Sequence, residues 1–502
     1  MFAALLTSGV FATRDNSFGV KQWDSPLPQP ARLAPGVTPS SLVWPPPHHL
    51  VISGDPVRLD AEFKITTSAS GKAGLTRAQG AILRSTVARF GATLDTKRAL
   101  ASAPAVRVAI AAVHTLTIEV DATIATPDVV SLETKYGYTL SYTGDGVVRA
   151  TAESIYGAQY ALESFTQLVS SADATLPGDV LTLRDAPQYA WRGLMLDAGR
   201  RFFPMPLVKN LLDTMSATKL NVLHLHVSDQ CRFGVESKLY PNLTASLTGI
   251  HGGFYTQSDV VDMQAYAKGL GIRVVPEFDF PGHSRGYIPA SYGADGVQFC
   301  EPTAPTRTQL YGDPSGKTYK VVHDLMKEMS ALFEDDVFNI GCDETGVKGP
   351  CTQESTFAVE RQLFTAIKTE LKKTPEGWEE AYFDAQAATN DTIVNAWARH
   401  TAAEVTAVGR RAVESRALEL ALELALVHVR WCTCAGARAL AHLRWRTCEA
   451  PLGPRIARPP QMTPPPLPPT LTARKFSPPP LDLPRLLSLF LCSLLSFFLF
   501  FI

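Results

Sequence analysis

A chain of 502 residues with a net charge of -1 at pH 7 has room for two or three domains with full cores, and it presents no excess of basic charge for nucleic acid or an acidic membrane. Hydrophobic residues at 45% and charged residues at 19% are ordinary for a globular protein and exclude a disordered or fibrous chain. Eight cysteines in this length exclude a disulfide-built scaffold, so their positions matter more than their number.

Met1 to Ala12 is apolar with small residues toward its end, as in a secretory signal core, although no Lys or Arg precedes it. Residues 13–48 are rich in Pro and Ser and close on Trp44-Pro45-Pro46-Pro47, so residues 1–48 read as a leader. Residues 49–187 change character. Val57-Arg58-Leu59, Val106 to Ile110, Leu116 to Val120 and Tyr138 to Tyr142 alternate as strands do, and helical runs span Arg77 to Phe90 and Ser154 to Val169. Strands with two helices predict a small α+β domain.

From residue 188 short apolar runs alternate with helical stretches. The spacing predicts strands over Gly193 to Asp197, Asn221 to Val227, Ile272 to Phe278, Val337 to Cys342, around Gly377-Trp378-Glu379, and over Thr392 to Trp397. Helices are predicted over Leu207 to Leu220, over Ser258 to Leu270 with Ser258 as N-cap, over Tyr319 to Phe333 and over Ser355 to Lys373. No Gly-rich dinucleotide fingerprint follows the first strand, which favours an α/β barrel of the (β/α)8 type over a doubly wound sheet. It is incomplete, with about six strands recognisable over residues 188–403. Residues 404–502 read as an atypical tail. Residues 451–484 hold thirteen prolines in thirty-four positions, and Leu486 to Ile502 is a seventeen-residue apolar end, a membrane tether if it is a genuine part of the protein.

In a barrel of parallel strands, polar groups at the C-terminal strand ends meet at the mouth. The strand ends carry Asp197 and Arg200; His224, His226 and Asp229; Glu277, Asp279 and His283; Asp343 and Glu344; Trp378 and Glu379; and Trp397 and Arg399. His224 and His226, two apart, share one face of a strand. Asp343 and Glu344 are the candidate catalytic pair.

Four stretches, Arg192-Gly-Leu-Met-Leu-Asp197-Ala-Gly-Arg200, Lys219-Leu-Asn-Val-Leu-His224-Leu-His226, Glu277-Phe-Asp279-Phe-Pro-Gly-His283 and Ile340-Gly-Cys-Asp343-Glu344, occur in the order and spacing of glycoside hydrolase family 20. The chain resembles the β-N-acetylhexosaminidases of that family, specifically over about residues 188–400 and more faintly over the preceding domain. The resemblance implies a retaining mechanism in which the 2-acetamido oxygen of the substrate is the nucleophile and no cofactor or metal is used. It implies Glu344 as general acid and then base, Asp343 as the group that orients the acetamido N–H, Arg200 as the grip on the sugar hydroxyls, and Trp378 and Trp397 as pocket walls. Asp229, Asp279 and His283 would stand behind Glu344 and help to set its acidity. It further implies a disulfide between Cys300 and Cys351, terminal N-acetylhexosamine glycans as substrate, a homo- or heterodimer, and a lysosomal or secreted location. Asn242 and Asn390 head N-x-Thr sequons, open to glycosylation on that route. The family's Tyr with a nearby acidic residue after the seventh strand, and its Trp-x-Glu at the eighth, have no counterpart after Trp397. A pocket without them predicts weak turnover or a glycan-binding relative that does not turn over. A metal-dependent barrel hydrolase using His224, His226, His283 and a carboxylate is the remaining enzymatic alternative.

Overall fold

The computed structural model describes residues 10–12, 42–70, 74–101, 112–122, 130–245, 247, 252–291, 296–301, 309–312, 316–347, 349–387 and 389–415. The expected strand over Val106 to Ile110, the Pro-rich stretch and the apolar end lie outside these residues. No helix among the described residues is long and apolar enough to cross a membrane. The first described strand, β1 (Val10–Ala12), pairs with a strand near residue 412.

The α+β domain has a seven-stranded mixed sheet built from β2 (His49–Ser53), β3 (Val57–Ser70), β4 (Ala112–Asp121), β5 (Tyr138–Thr143), β6 (Val147–Ala152), β7 (Thr175–Leu176) and β8 (Val180–Asp185). Its order is β2-β8-β5-β6-β4-β3-β7. Helix α1 (Arg77–Leu100), started by a Thr76–Gln79 capping box, and helix α2 (Ile155–Leu168) pack on it. The period-two pattern of β4 and β6 puts Leu116, Ile118, Val120, Val148 and Ala150 in the core, as strand alternation requires. The end of the expected leader belongs to this domain. Val43 is buried, Gln167 clasps Trp44 through its backbone N–H (2.6 Å) and carbonyl (3.0 Å), and His48 contacts Asp185 at 3.1 Å.

The second sheet is parallel from β9 (Gly193–Asp197) through β10 (Val222–Ser228), β11 (Arg273–Phe278), β12 (Val337–Asn339), β13 (Thr374–Trp378) and β14 (Ile393–Ala396) to β15 (Arg411–Glu414), in chain order. Between them run α3 (Met205–Ala217), α4 (Asn242–Ala245), α5 (Gln257–Gly269), α6 (Lys317–Leu332), α7 (Gln353–Thr369), α8 (Glu379–Phe383) and α9 (Ala402–Ala407). Strand β15 corrects the expected barrel limit at residue 403. The sheet has seven parallel strands rather than six, and β1 lies antiparallel on β15 with Phe11 opposite Val413. The N-cap of α5 is Thr256, in a capping box with Asp259, rather than Ser258, which lies inside the first turn. On α3, Val208, Leu212 and Met215 are buried against β9 and β10 residues such as Leu196, Leu223 and Leu225, while Leu211 packs at the edge.

The two sheets belong to one compact unit and are joined by buried polar groups. Lys219, in the turn before β10, donates to Tyr138 OH (2.7 Å), Ser164 Oγ (3.0 Å) and Asp185 Oδ2 (3.0 Å), which uses all three ammonium protons. Burial is outweighed by the His48 and Lys219 contacts, so the Asp185 carboxyl is held below its usual range.

Candidate active site

The acidic pair sits where β12 leaves the sheet. Gly341, Cys342 and Glu344 all have positive φ, at 67°, 71° and 49°, a tight turn that only glycine adopts freely. A side chain at Gly341 would meet Asp279 Oδ1 at 2.0 Å, so the bare backbone there lets the Asp279 carboxylate approach β12. Cys342 N–H donates to that same oxygen at 3.3 Å, and Gly341 N–H donates to Asn339 Oδ1 at 2.8 Å. The turn directs Asp343 inward and Glu344 outward. Asp343 is 13% exposed as a side chain, and Glu344 is 60% exposed.

His283 joins the pair to β11. Its Nδ1 lies 2.7 Å from Asp279 Oδ2 and 3.5 Å from Asp343 Oδ2, and its Nε2 lies 3.0 Å from Glu344 Oε2. Burial opposes a charge on this ring, but hydrogen bonds to Asp279 and Asp343 outweigh it and push the imidazole up to about 12. The ring is therefore a cation that donates from both nitrogens. One oxygen, Asp343 Oδ1, is buried and has no hydrogen-bond partner among the described residues. An acceptor in that condition is suited to an N–H supplied from outside the chain.

Arg200, just past β9, reaches Asp229 Oδ2 at 3.0 Å and Asp197 Oδ2 at 3.2 Å. Asp229 also takes His226 Nε2 at 3.0 Å, so it anchors Arg200. Burial is again outweighed, here by His226 and Arg200, and Asp229 stays below its usual range. Asp229 thus holds Arg200 and His226 and also lies within 4.8 Å of the His283–Asp279 pair, and His283 in turn touches Glu344.

Glu277 is the residue whose part was not legible. It is fully buried and gathers His224 Nε2 (2.7 Å), His226 Nδ1 (2.9 Å) and Trp378 Nε1–H (2.7 Å). Its burial is outweighed by the two histidines, which hold it well below the usual carboxylate range. Trp378 stacks on His224 and stands at 65° to Trp397, with ring centroids 6.0 Å apart in each pair. A carboxylate inside the apolar run Val274-Val275-Pro276-Glu277 was the available signal, but the indole it holds comes 101 residues later.

The structure does not gather the three histidines of the metal alternative. Among the described residues the His and carboxylate groups close enough to enclose a cation are His226–Glu277–Asp279, Asp229–Asp279–His283 and His283–Asp343–Glu344, and none holds two of those histidines. The disulfide implied by the resemblance is present between Cys300 and Cys351. Asn242 and Asn390 are exposed.

A parallel β/α sheet with a carboxylate pair at its mouth, a cationic histidine behind the pair and two tryptophans beside it falls in the glycoside hydrolase barrel class. The family model described as glycosyl hydrolase family 20, catalytic domain, matches residues 189–425, and one described as beta-acetyl hexosaminidase like matches residues 43–168. Over residues 189–425 the chain is thus similar to the catalytic domain of glycosyl hydrolase family 20. It is 38% identical over 197 residues to beta-hexosaminidase subunit A2 of Dictyostelium discoideum, covering 38% of this chain and 35% of that one. It is 30% identical over 270 residues to the mouse beta-hexosaminidase subunit beta, covering 49% of each. The chain thus spans about half or less of these relatives. Among solved structures, the family 20 β-N-acetylhexosaminidase of Streptomyces coelicolor superposes with a TM-score of 0.55 at 26% identity, over 74% of this chain and 73% of that one.

Proposed function

We propose that the chain is a β-N-acetylhexosaminidase, removing terminal N-acetylhexosamine from glycans with retention of configuration and with the substrate's own acetamido oxygen as nucleophile. The observation that carries this reading is the unpartnered, buried Asp343 Oδ1 beside an exposed Glu344 that is tied to His283. In the proposed reaction Asp343 Oδ1 accepts the acetamido N–H. That hydrogen bond turns the amide oxygen toward the anomeric carbon and balances the charge that grows on the oxazolinium ring. Glu344 protonates the departing glycosidic oxygen and then takes a proton from the water that opens the ring. His283, charged and bonded to Asp279, holds Glu344 in place. Arg200, steadied by Asp197 and Asp229, offers its donor fork to sugar hydroxyls, and Trp378 and Trp397 flank the acetamido methyl and the sugar face.

The same reading includes a secretory destination, lysosomal or extracellular, supported by the disulfide and by the exposed Asn242 and Asn390. It includes pairing with a like or unlike subunit, since mouse relatives are named as alpha and beta subunits.

The test is release of the aryl group from aryl N-acetyl-β-D-glucosaminide compared with the matching glucoside, which lacks the acetamido nucleophile. Hydrolysis of the first alone, blocked by a thiazoline analogue of the oxazolinium ring, supports the mechanism. Equal hydrolysis of both refutes it. Binding of N-acetylglucosamine with no turnover reassigns the chain as a glycan-binding relative.

A further inference from the structure

Trp378, Glu379 and Glu380 are consecutive at the end of β13, and each does something different. Trp378 turns its indole N–H to Glu277. Glu379 is fully buried, and its two oxygens accept three backbone N–H groups from the loop after β14: Arg399 at 2.6 Å, Trp397 at 3.1 Å and His400 at 3.1 Å. Glu380 Oε2 accepts the indole N–H of Trp397 at 3.2 Å. Trp397 is thus fixed at its backbone by one carboxylate, at its indole nitrogen by the next, and by an edge-on contact with Trp378.

From this geometry we infer that Glu379 is a positioning residue for substrate, with Glu380 as its complement: together they set the orientation of the Trp397 wall. The inference rests on the proposed function for the role of that wall. A carboxylate that takes three N–H groups of one turn leaves the turn little freedom, because removing it takes the acceptor from three part-buried donors at once. The neighbouring Asn395 and Ala396 are buried in the sheet and fix the loop at its base. Glu379 thus decides how the remaining four-residue stretch is folded. Its effect falls on sugar binding, since among the described residues Glu379 makes no hydrogen bond or ion pair with Asp343 or Glu344, whereas Glu380 feels the charge of Asp343.

The test uses the full chain with Glu379→Ala, Glu379→Gln, Glu380→Ala and Trp397→Phe, read by near-UV circular dichroism and by KM and kcat on the aryl N-acetylglucosaminide. Glu379→Ala is expected to remove the tryptophan band that Trp397→Phe removes, with the far-UV spectrum intact, and Glu380→Ala to remove part of it. Glu379→Ala should raise KM about tenfold and move kcat less than about threefold, with Glu379→Gln between it and the parent. A retained Trp397 band, or a fall in kcat at constant KM, overturns the inference. If Glu379→Ala does not fold, the band in Glu380→Ala decides. Absence of sugar release by the parent chain counts against the proposed function, while the band needs no substrate and still tests Glu379.

Discussion

The buried charge cluster at the seam between the sheets and the one at the barrel mouth differ in how fully they are satisfied. At the seam every proton of Lys219 has an acceptor, and Asp185 meets Lys219, Tyr138 and His48. At the mouth, among the described residues, Asp343 keeps a buried oxygen without a partner, and Glu344 contacts His283 and is 60% exposed. A saturated cluster holds parts together, whereas one with an acceptor left over is prepared for something that arrives.

The sharpest way to break this comparison is Glu344→Gln. It should lower kcat on an activated aryl N-acetylglucosaminide by about 10²- to 10⁴-fold with thermal stability unchanged, because loss of the acid removes its proton transfer and little packing. A parallel loss of stability would mean that the mouth is structural after all. Lys219→Met should do the reverse. It strands Asp185 in the seam and is expected to cost about 3 kcal/mol of unfolding free energy, measured by urea titration, with KM for the sugar little changed. Asp343→Asn keeps the shape but offers an amide where an acceptor is needed. A fall of roughly 10²-fold in kcat on the aryl N-acetylglucosaminide is expected.

The smallest effect concerns Glu360 on α7, buried with neither oxygen hydrogen-bonded among the described residues and pushed up to about 9, chiefly by burial. The folded chain keeps a proton there that the unfolded chain releases above its ordinary value of 4.5. Stability from this group is therefore full below pH 4.5, declines as pH rises toward about 9, and is level beyond. Glu360→Gln should flatten that slope and raise the midpoint of thermal unfolding at pH 8 by roughly 2 °C or more, with no gain at pH 4. A slope unchanged by the substitution would show that Glu360 does not titrate as its surroundings dictate.

Much of the mouth was legible because its residues are unusual where they stand. Asp-Glu at the end of an apolar run, and His-x-His inside one, are costly unless a site needs them, and the strand register then brings them together. Other features depend on register that sequence does not carry. The role of Glu277 appears only once β11 and β13 are known to place it under Trp378, and that of Glu379 only once β14 lies beside β13. Strand β15 escaped notice because Arg411-Ala-Val-Glu414 has just two apolar residues and runs into an Ala/Leu/Arg-rich stretch with no alternation. Thr256 was passed over as a cap because Ser258 offers the same chemistry two residues later, and only the backbone at Thr256, extended rather than helical, decides between them.

The Cys300–Cys351 bond has a consequence beyond bracing a loop. Helix α6, strand β12 and the Asp343–Glu344 pair all lie between its two ends, 51 residues apart, so the acid is carried on a covalently closed ring. Closing a ring of that size removes about 4 kcal/mol of freedom from the unfolded chain. Wherever thiols are kept reduced, that contribution is lost to the very segment that positions the acid. Reduction then lowers the stability of the fold that carries the pair, without a single catalytic atom being changed.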